Sequence, residues 1–177
     1  EFLEKNMYED IDIISWADER YPQQLKEIQD SPLNLFVKGD IKLLEDSKIV
    51  AVVGTRKASN TGIKVAYNLS KILSESGYVV VSGLAEGIDT QAHQATLDHK
   101  GKTAGIIATD LSEKSFFPKE NLELSKKILE FGGVLVTEVP LGSPPVKQRF
   151  LLRNRIQTGL SLSLVVVETG DTGGTLH

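Results

Sequence analysis

The chain has 177 residues, of which 40% are hydrophobic and 25% are charged, a composition typical of one globular domain rather than of a disordered segment. It contains no cysteine and three histidines, which excludes a disulfide framework or a thiolate metal site and argues against a zinc centre. The net charge of −4 excludes a broad basic face, so any site for a polyanion has to be local.

Residues 1–48 are interpreted as an irregular N-terminal lead-in. The pattern indicates a short helical stretch after Tyr21 and a strand over 33–37. We expect this segment to pack partly on the core that follows and to add a strand to its sheet. No apolar run approaches the roughly 20 residues of a membrane span and no signal peptide is visible, so we expect a cytoplasmic protein that does not enter a membrane.

A strand–helix alternation runs through residues 49–177. Short apolar runs predict strands, and helical spacing between glycines and prolines predicts the helices. The predicted strands are 49–53, 78–81, 103–108, 134–138 and 162–168, and the predicted helices are 60–76, 88–99, 119–131 and 148–160. This order predicts a three-layer α/β domain with a mainly parallel sheet and helices on both faces. Ligands of such domains bind at the carboxyl edge of the sheet.

The most informative stretch is 78–93, where an apolar strand stops at Gly83 and a helix follows Gly87. Such a connection presents backbone N–H groups to an anion, and the glycines let a ligand approach the backbone closely. Asp89 is expected to cap the helix, and His93 to donate a hydrogen bond that fixes the turn. For this turn alone, a tight connection without a ligand is the simpler alternative.

Two basic features are expected at the same edge. Arg56 follows the first strand of the alternation, where its guanidinium can fork onto phosphate oxygens. Residues 147–155 carry four cations with apolar residues between them, and on a helix Arg149 and Arg153 share a face while Arg155 points away. No G-x-G-x-x-G fingerprint and no Walker A motif occurs, so dinucleotide and ATPase sites lack support.

A second glycine-rich turn follows the last predicted strand, at residues 169–175. Two glycine turns, an arginine and an Arg-Asn-Arg segment therefore converge on one edge, which predicts a phosphate site. Glu138 and Glu168 also end strands there. They could act as carboxylates, with hydrogen bonding to loop N–H groups as the alternative.

Five motifs together resemble those of the DprA/Smf family. They are VVGTR (52–56), SGLAEGIDTQAH (82–93), FPKEN (117–121), RNRIQTGLS (153–161) and VVETGDTGGTL (166–176). The opening segment 21–40 is also similar to that family. The motifs occur in order and with fitting spacing, so the match is specific as a set.

The resemblance implies an extended Rossmann-like domain in a homodimeric recombination mediator. Such a protein binds single-stranded DNA, protects it and helps to load RecA during natural transformation, without catalysis, cofactor or metal. The residues implied to hold DNA phosphates are Gly54, Thr55, Arg56, Ser82, Gly83, Gly87, Lys119, Asn121, Arg153, Asn154, Arg155, Gly173, Gly174 and Thr175. Asp89 and His93 would be structural. Phe116 or Phe117 is available for base stacking.

Two alternatives stay open. Related folds bind nucleotides or cleave their N-glycosidic bonds, and in that case the turn 173–175 would hold a single phosphate and Glu138 or Glu168 would be the acid–base residue. The other alternative is a protein-interaction scaffold whose site has decayed.

Overall fold

A seven-stranded sheet organises the computed structural model, which describes residues 10–45 and 48–170. Its strands are β1 (Asp12–Ser15), β2 (Asn34–Gly39), β3 (Ile49–Val53), β4 (Val79–Ser82), β5 (Thr103–Ile106), β6 (Val134–Thr137) and β7 (Ser163–Val166). They lie side by side in the order β1-β2-β6-β5-β4-β3-β7. Strands β3 to β7 are parallel, whereas β2 runs antiparallel to both β1 and β6. The predicted α/β fold with a mainly parallel sheet is confirmed.

The helices follow the predicted alternation with two changes of boundary. They are α1 (Gln23–Lys26), α2 (Asn60–Glu75), α3 (Ile88–Asp98), α4 (Leu122–Glu130), α5 (Arg149–Leu152) and α6 (Asn154–Leu160). The helix predicted over 119–131 begins as a 3-10 turn, Lys119–Asn121, that leads into α4. The helix predicted near 148–160 is divided at Arg153, which lies between α5 and α6.

Helices cover both faces of the sheet because successive strand residues point to opposite sides. Val79 of β4 belongs to a core that includes Leu25 of α1 and Ile156 of α6. Val80, the next residue, belongs to a core on the other face with Ala92 of α3. A strand that is buried on both faces has to be apolar throughout, which is why the runs in β3 and β4 show no alternation.

The N-terminal segment contributes two strands, where the sequence pattern predicted one. β2 pairs with β6, and β1 pairs with the outer edge of β2. The side chain of Tyr21 is buried, and its hydroxyl donates a hydrogen bond to the carbonyl of Pro32 at 2.7 Å. Strands β1 and β2 are therefore part of the same sheet as the alternation that follows.

His93 is a buried residue of α3 whose ring bonds Thr103 of β5 and interacts with the backbone of Ser82, where the turn after β4 begins. Its Nδ1 lies 2.7 Å from the hydroxyl oxygen of Thr103, and that hydroxyl donates to the carbonyl of Val80 at 2.6 Å. Nδ1–H is therefore the donor to Thr103. Burial, with a further contribution from the charge of Arg153, lowers the pKa of His93 to about 3.

His93 should make the protein lose stability in mild acid. The unfolded chain takes up a proton near the usual histidine pKa of about 6.5, whereas the native state resists it down to about pH 3. The free energy of unfolding should therefore fall as the pH drops from 6.5 toward 3, by at most about 1.4 kcal/mol per pH unit from this group. Urea unfolding of wild type and His93→Gln at several pH values measures the difference. Parallel pH profiles for the two proteins would contradict the assignment.

Candidate functional site

A cavity of about 1080 Å³ lies at the carboxyl edge of the sheet, where the sequence predicted a ligand site. Its walls come from the turns after β3 and β4, from the segment that contains α5 and α6, and from the end of β7. Among the described residues, five charged side chains line it: the basic Arg56, Lys57, Lys147 and Arg153, and the acidic Asp89. The described part of this acidic chain therefore concentrates cations at one edge.

Arg153 occupies the base of this site. Arg153 is only 6% exposed, and its Nη1 donates to the carbonyl of Ile106 at 2.7 Å. Its Nε has no hydrogen-bond partner in the described structure. A Cβ on Gly83 would overlap the guanidinium, so glycine is required at that position for the arginine to lie against the turn. Gly83 therefore makes room for a side chain of the protein.

Asp89 binds the turn that precedes its own helix. Its Oδ2 accepts hydrogen bonds from the backbone N–H groups of Gly83 at 3.0 Å and Ala85 at 3.4 Å. The N-cap of α3 is Gly87, which has no side-chain cap, so the predicted capping role of Asp89 is corrected. Burial raises the pKa of the Asp89 carboxyl, and the charge of Arg153 opposes that rise. Two N–H groups of the predicted anion nest are thus occupied by a carboxylate.

Other residues of the two turns also bond within the protein. Ser82 is fully buried and its hydroxyl donates to the carbonyl of Val52 at 2.6 Å, so it is closed to a ligand here. Gly87 has a φ of +78°, and a Cβ there would collide with the carbonyl oxygens of Thr55 and Arg56. The two turns are in direct contact, and Gly87 permits that contact.

The turn after β3 is bonded to the end of β7. The N–H of Thr55 donates to the carbonyl of Glu168 at 2.7 Å, and the Thr55 hydroxyl accepts from the N–H of Lys57 at 3.2 Å. A Cβ on Gly54 would collide with Ile88 and with the same Glu168 carbonyl. These contacts fix the backbone of the turn from which the side chains of Arg56 and Lys57 extend. Both residues are exposed.

Lys119 and Asn121 both bond to backbone carbonyls within the protein. The Lys119 ammonium donates to the carbonyls of Glu113 and Lys114, at 2.7 and 2.9 Å. Asn121 is 4% exposed, and its Nδ2 donates to the carbonyl of Leu84 at 2.9 Å. The buried amide of Asn121 therefore supports the glycine turn from beneath, and its DNA contact stays a prediction.

The Arg-Asn-Arg segment divides its cations between two roles. Arg153 faces the cavity, whereas Arg155 pairs with Glu138 at 2.6 Å and both partners are about three-quarters buried. Asn154 lines the cavity and has contacts of its own within the protein. The predicted contacts at Gly173, Gly174 and Thr175 lie outside the described residues.

Two aromatic rings stand at the mouth of the cavity. Phe117 is 49% exposed and meets Phe150 edge to face, with 5.6 Å between ring centroids. The guanidinium carbon of Arg56 lies 5.5 Å from the centroid of Phe150. The sequence left open whether Phe116 or Phe117 is available for base stacking. Phe116 is buried in the core, so Phe117 is the available ring. Phe150 was not proposed from the sequence, although its place inside the basic run 147–155 was a usable signal.

The two carboxylates proposed for acid–base chemistry are engaged elsewhere. Glu138 is held by Arg155, and Glu168 accepts hydrogen bonds from the N–H and the hydroxyl of Ser59 at the start of α2. Neither residue lines the cavity. Within the described ranges, no cluster of three metal-ligating side chains occurs, and no helix is long and apolar enough to span a membrane.

Comparisons with known proteins agree with this geometry. The sequence model of the family described as DNA recombination-mediator protein A matches residues 12–177. The DNA processing protein DprA of Bacillus subtilis is 39% identical over 166 residues, which cover 94% of this chain and 55% of that protein. The chain therefore spans about half the length of the curated relatives it matches.

Solved structures extend the comparison to the fold. The DprA structure from Streptococcus pneumoniae aligns with a TM-score of 0.85 at 37% identity, covering 97% of this chain and 59% of that one. DNA processing protein A from Helicobacter pylori, whose structure is described as showing a unique single-stranded DNA binding mode, aligns with a TM-score of 0.83 at 26% identity. That alignment covers 94% of this chain and 73% of the other.

Gly83→Ala should destabilise the protein by displacing Arg153. The added methyl overlaps Nη1, so the guanidinium has to move away from the Ile106 carbonyl. We expect a free energy of unfolding lower by about 2–4 kcal/mol in urea titrations. Gly170→Ala is the matched control, because a Cβ there meets open space. A Gly83→Ala protein as stable as this control would contradict the packing role.

Proposed function

The chain belongs to the DNA recombination-mediator protein A family, and from that premise we propose that its cavity binds single-stranded DNA. One observation carries the proposal: Arg56, Lys57, Lys147 and Arg153 surround a single cavity in a chain whose net charge is −4. Such a local field attracts a polyanion although the chain as a whole is acidic. The strand would follow the cations along the carboxyl edge.

The phosphates would meet side chains more than backbone N–H groups. A cleft of about 60 Å³ lies between Arg56, Gly83, Phe150 and Arg153. Burial lowers the pKa of the Arg153 guanidinium, the charge of Asp89 opposes that change, and the charge of Arg56 adds to it. A phosphate in this cleft, which Glu86 also lines, would add counter-charge for Arg56 beside that of Asp89 for Arg153, and the Nε of Arg153 would have an acceptor.

The bases would meet the rings of Phe117 and Phe150 at the mouth of the cavity. Base–aromatic stacking tolerates any sequence because every base has a π-face. The Arg56 guanidinium over Phe150 extends the stacking surface by a cationic plane. Phosphate contacts position a strand without reading it, so this arrangement predicts little sequence preference.

We further propose the recombination role of the family for the whole protein. In that role a homodimer in the cytoplasm protects incoming single strands and helps to load RecA during natural transformation. Support comes from the family match and from the curated relatives named DNA processing protein DprA. No catalysis is part of the proposal. The N-glycosidase alternative loses its candidate acid–base residues, since Glu138 and Glu168 are bonded within the protein.

Arg56→Ala should weaken binding of an oligo-dT strand roughly tenfold, because a charge-assisted contact to phosphate is lost. Fluorescence anisotropy at several salt concentrations measures both affinity and salt dependence. The slope of log K against log salt should become less steep by roughly 0.7, the value for one phosphate of a single strand. Arg20→Ala is the control, because Arg20 pairs with Asp18 outside the cavity. Affinity that is independent of salt in the wild type would contradict the phosphate site.

Phe150→Leu separates stacking from charge. Loss of one stacked base should weaken oligo-dT binding by about 1–3 kcal/mol, with the salt slope left unchanged. The edge-to-face partner Phe117 gives a second variant, Phe117→Leu, with an effect in the same direction. A shallower salt slope, or no change in affinity in either variant, would argue against base stacking at the mouth.

A further inference from the structure

Gln157 is a buried polar residue of α6 that no part of the proposed phosphate or stacking site uses. Gln157 is 2% exposed, and its Nε2 has no hydrogen-bond partner within residues 10–45 and 48–170. A buried amide without a partner destabilises a folded protein relative to an apolar side chain of the same shape. Its place in this structure therefore calls for a reason.

The position of Gln157 links it to the cavity. Six buried side-chain atoms in the described residues lack partners, and those of Gln157 and Arg153 belong to residues that line the cavity. The two residues are four apart across the start of α6, so their side chains are neighbours on one helix face, with roughly 5–6 Å between Cβ atoms. One supplies a cation and the other a neutral amide. A nucleotide has the same arrangement, with an anionic phosphate at one end and a neutral base at the other.

The surroundings of Gln157 suit a base better than a second phosphate. Val53 at the end of β3 and Leu164 of β7 line the same cavity and are apolar. Arg56 and Lys147 are exposed, whereas Gln157 is buried. An amide carries donors and an acceptor, which matches the edge of an unpaired base, and its terminal torsion is broad enough to turn either group toward a ligand.

We propose that the floor of the cavity is a nucleobase subsite in which the Gln157 amide hydrogen-bonds the edge of a base whose phosphate lies at Arg153. In its strand-bound form this inference rests on the proposed function. A free nucleotide offers the same chemistry, and the experiment separates the two sources. In this role Gln157 recognises the edge of a base, whereas Phe150 and Phe117 stack on any base.

The test compares two strands of equal length and charge, an oligo-dT and an abasic strand, on wild type and Gln157→Met. Methionine keeps the shape of glutamine and removes the unpartnered amide, so the melting temperature should be unchanged or higher. Wild type should prefer oligo-dT, and this preference should fall about fivefold in Gln157→Met, with the same salt slope in both proteins. Gln94→Met is the matched control, since the Gln94 amide bonds Asp98 along α3 and lies outside the cavity.

The outcomes separate this inference from the proposed function. If Gln157→Met binds oligo-dT like wild type, or weakens both strands equally, the base subsite is overturned while DNA binding stands. If wild type binds neither strand, the proposed function fails, and thermal shift with thymidine monophosphate decides the subsite. A shift in wild type that disappears in Gln157→Met retains the subsite for a free nucleotide, and no shift overturns it.

Discussion

The attraction between the buried charges of Asp89 and Arg153, the pair that lies against the turn after β4, is the constraint on which the whole carboxyl edge depends. Asp89 holds the turn after β4 through the N–H groups of Gly83 and Ala85. Arg153 lies against the same turn and bonds the end of β5 through Ile106. Removing either partner would leave an uncompensated charge in the interior, which is strongly destabilising. The pair therefore fixes the position of α6 relative to β4 and β5.

This pair also explains why the anion site is made of side chains. In many phosphate sites a glycine turn offers free N–H groups to the ligand, and the dipole of the following helix assists. Here a carboxylate of the protein occupies that place, so in the proposed site a second anion would meet the Nε of Arg153, which has no partner among the described residues, and Arg56 beside it. Side-chain cations at the surface are more mobile than backbone donors and can follow a flexible strand. Such a site binds charge without demanding one phosphate geometry.

The sequence predicted the architecture well because burial on both faces of a parallel sheet leaves a local signal. The apolar runs at β3 and β4 and the glycines after them can be recognised without knowledge of any long-range contact. The partners of Asp89 and Asn121 could not be predicted in this way. Asp89 at the start of a helix has the local features of a cap, and only the fold brings Gly83 within reach of its carboxylate. Likewise β1 is short, half polar and stabilised by pairing with β2, so its own pattern was too weak to predict it.

The contrast between local sequence signals and contacts made only by the fold also applies to the residues that could touch a ligand. Gly54, Gly83 and Gly87 belong to the recognisable motifs, yet each one accommodates another part of the protein at close range. Lys147 and Phe150 lie outside those motifs, yet both line the cavity. The motif glycines are needed because the turns pack closely against each other. Few other residues fit there, so this packing can be recognised in the sequence. Contact with a ligand needs only a suitable side chain at the right place on the surface, and that place is defined by the packed turns.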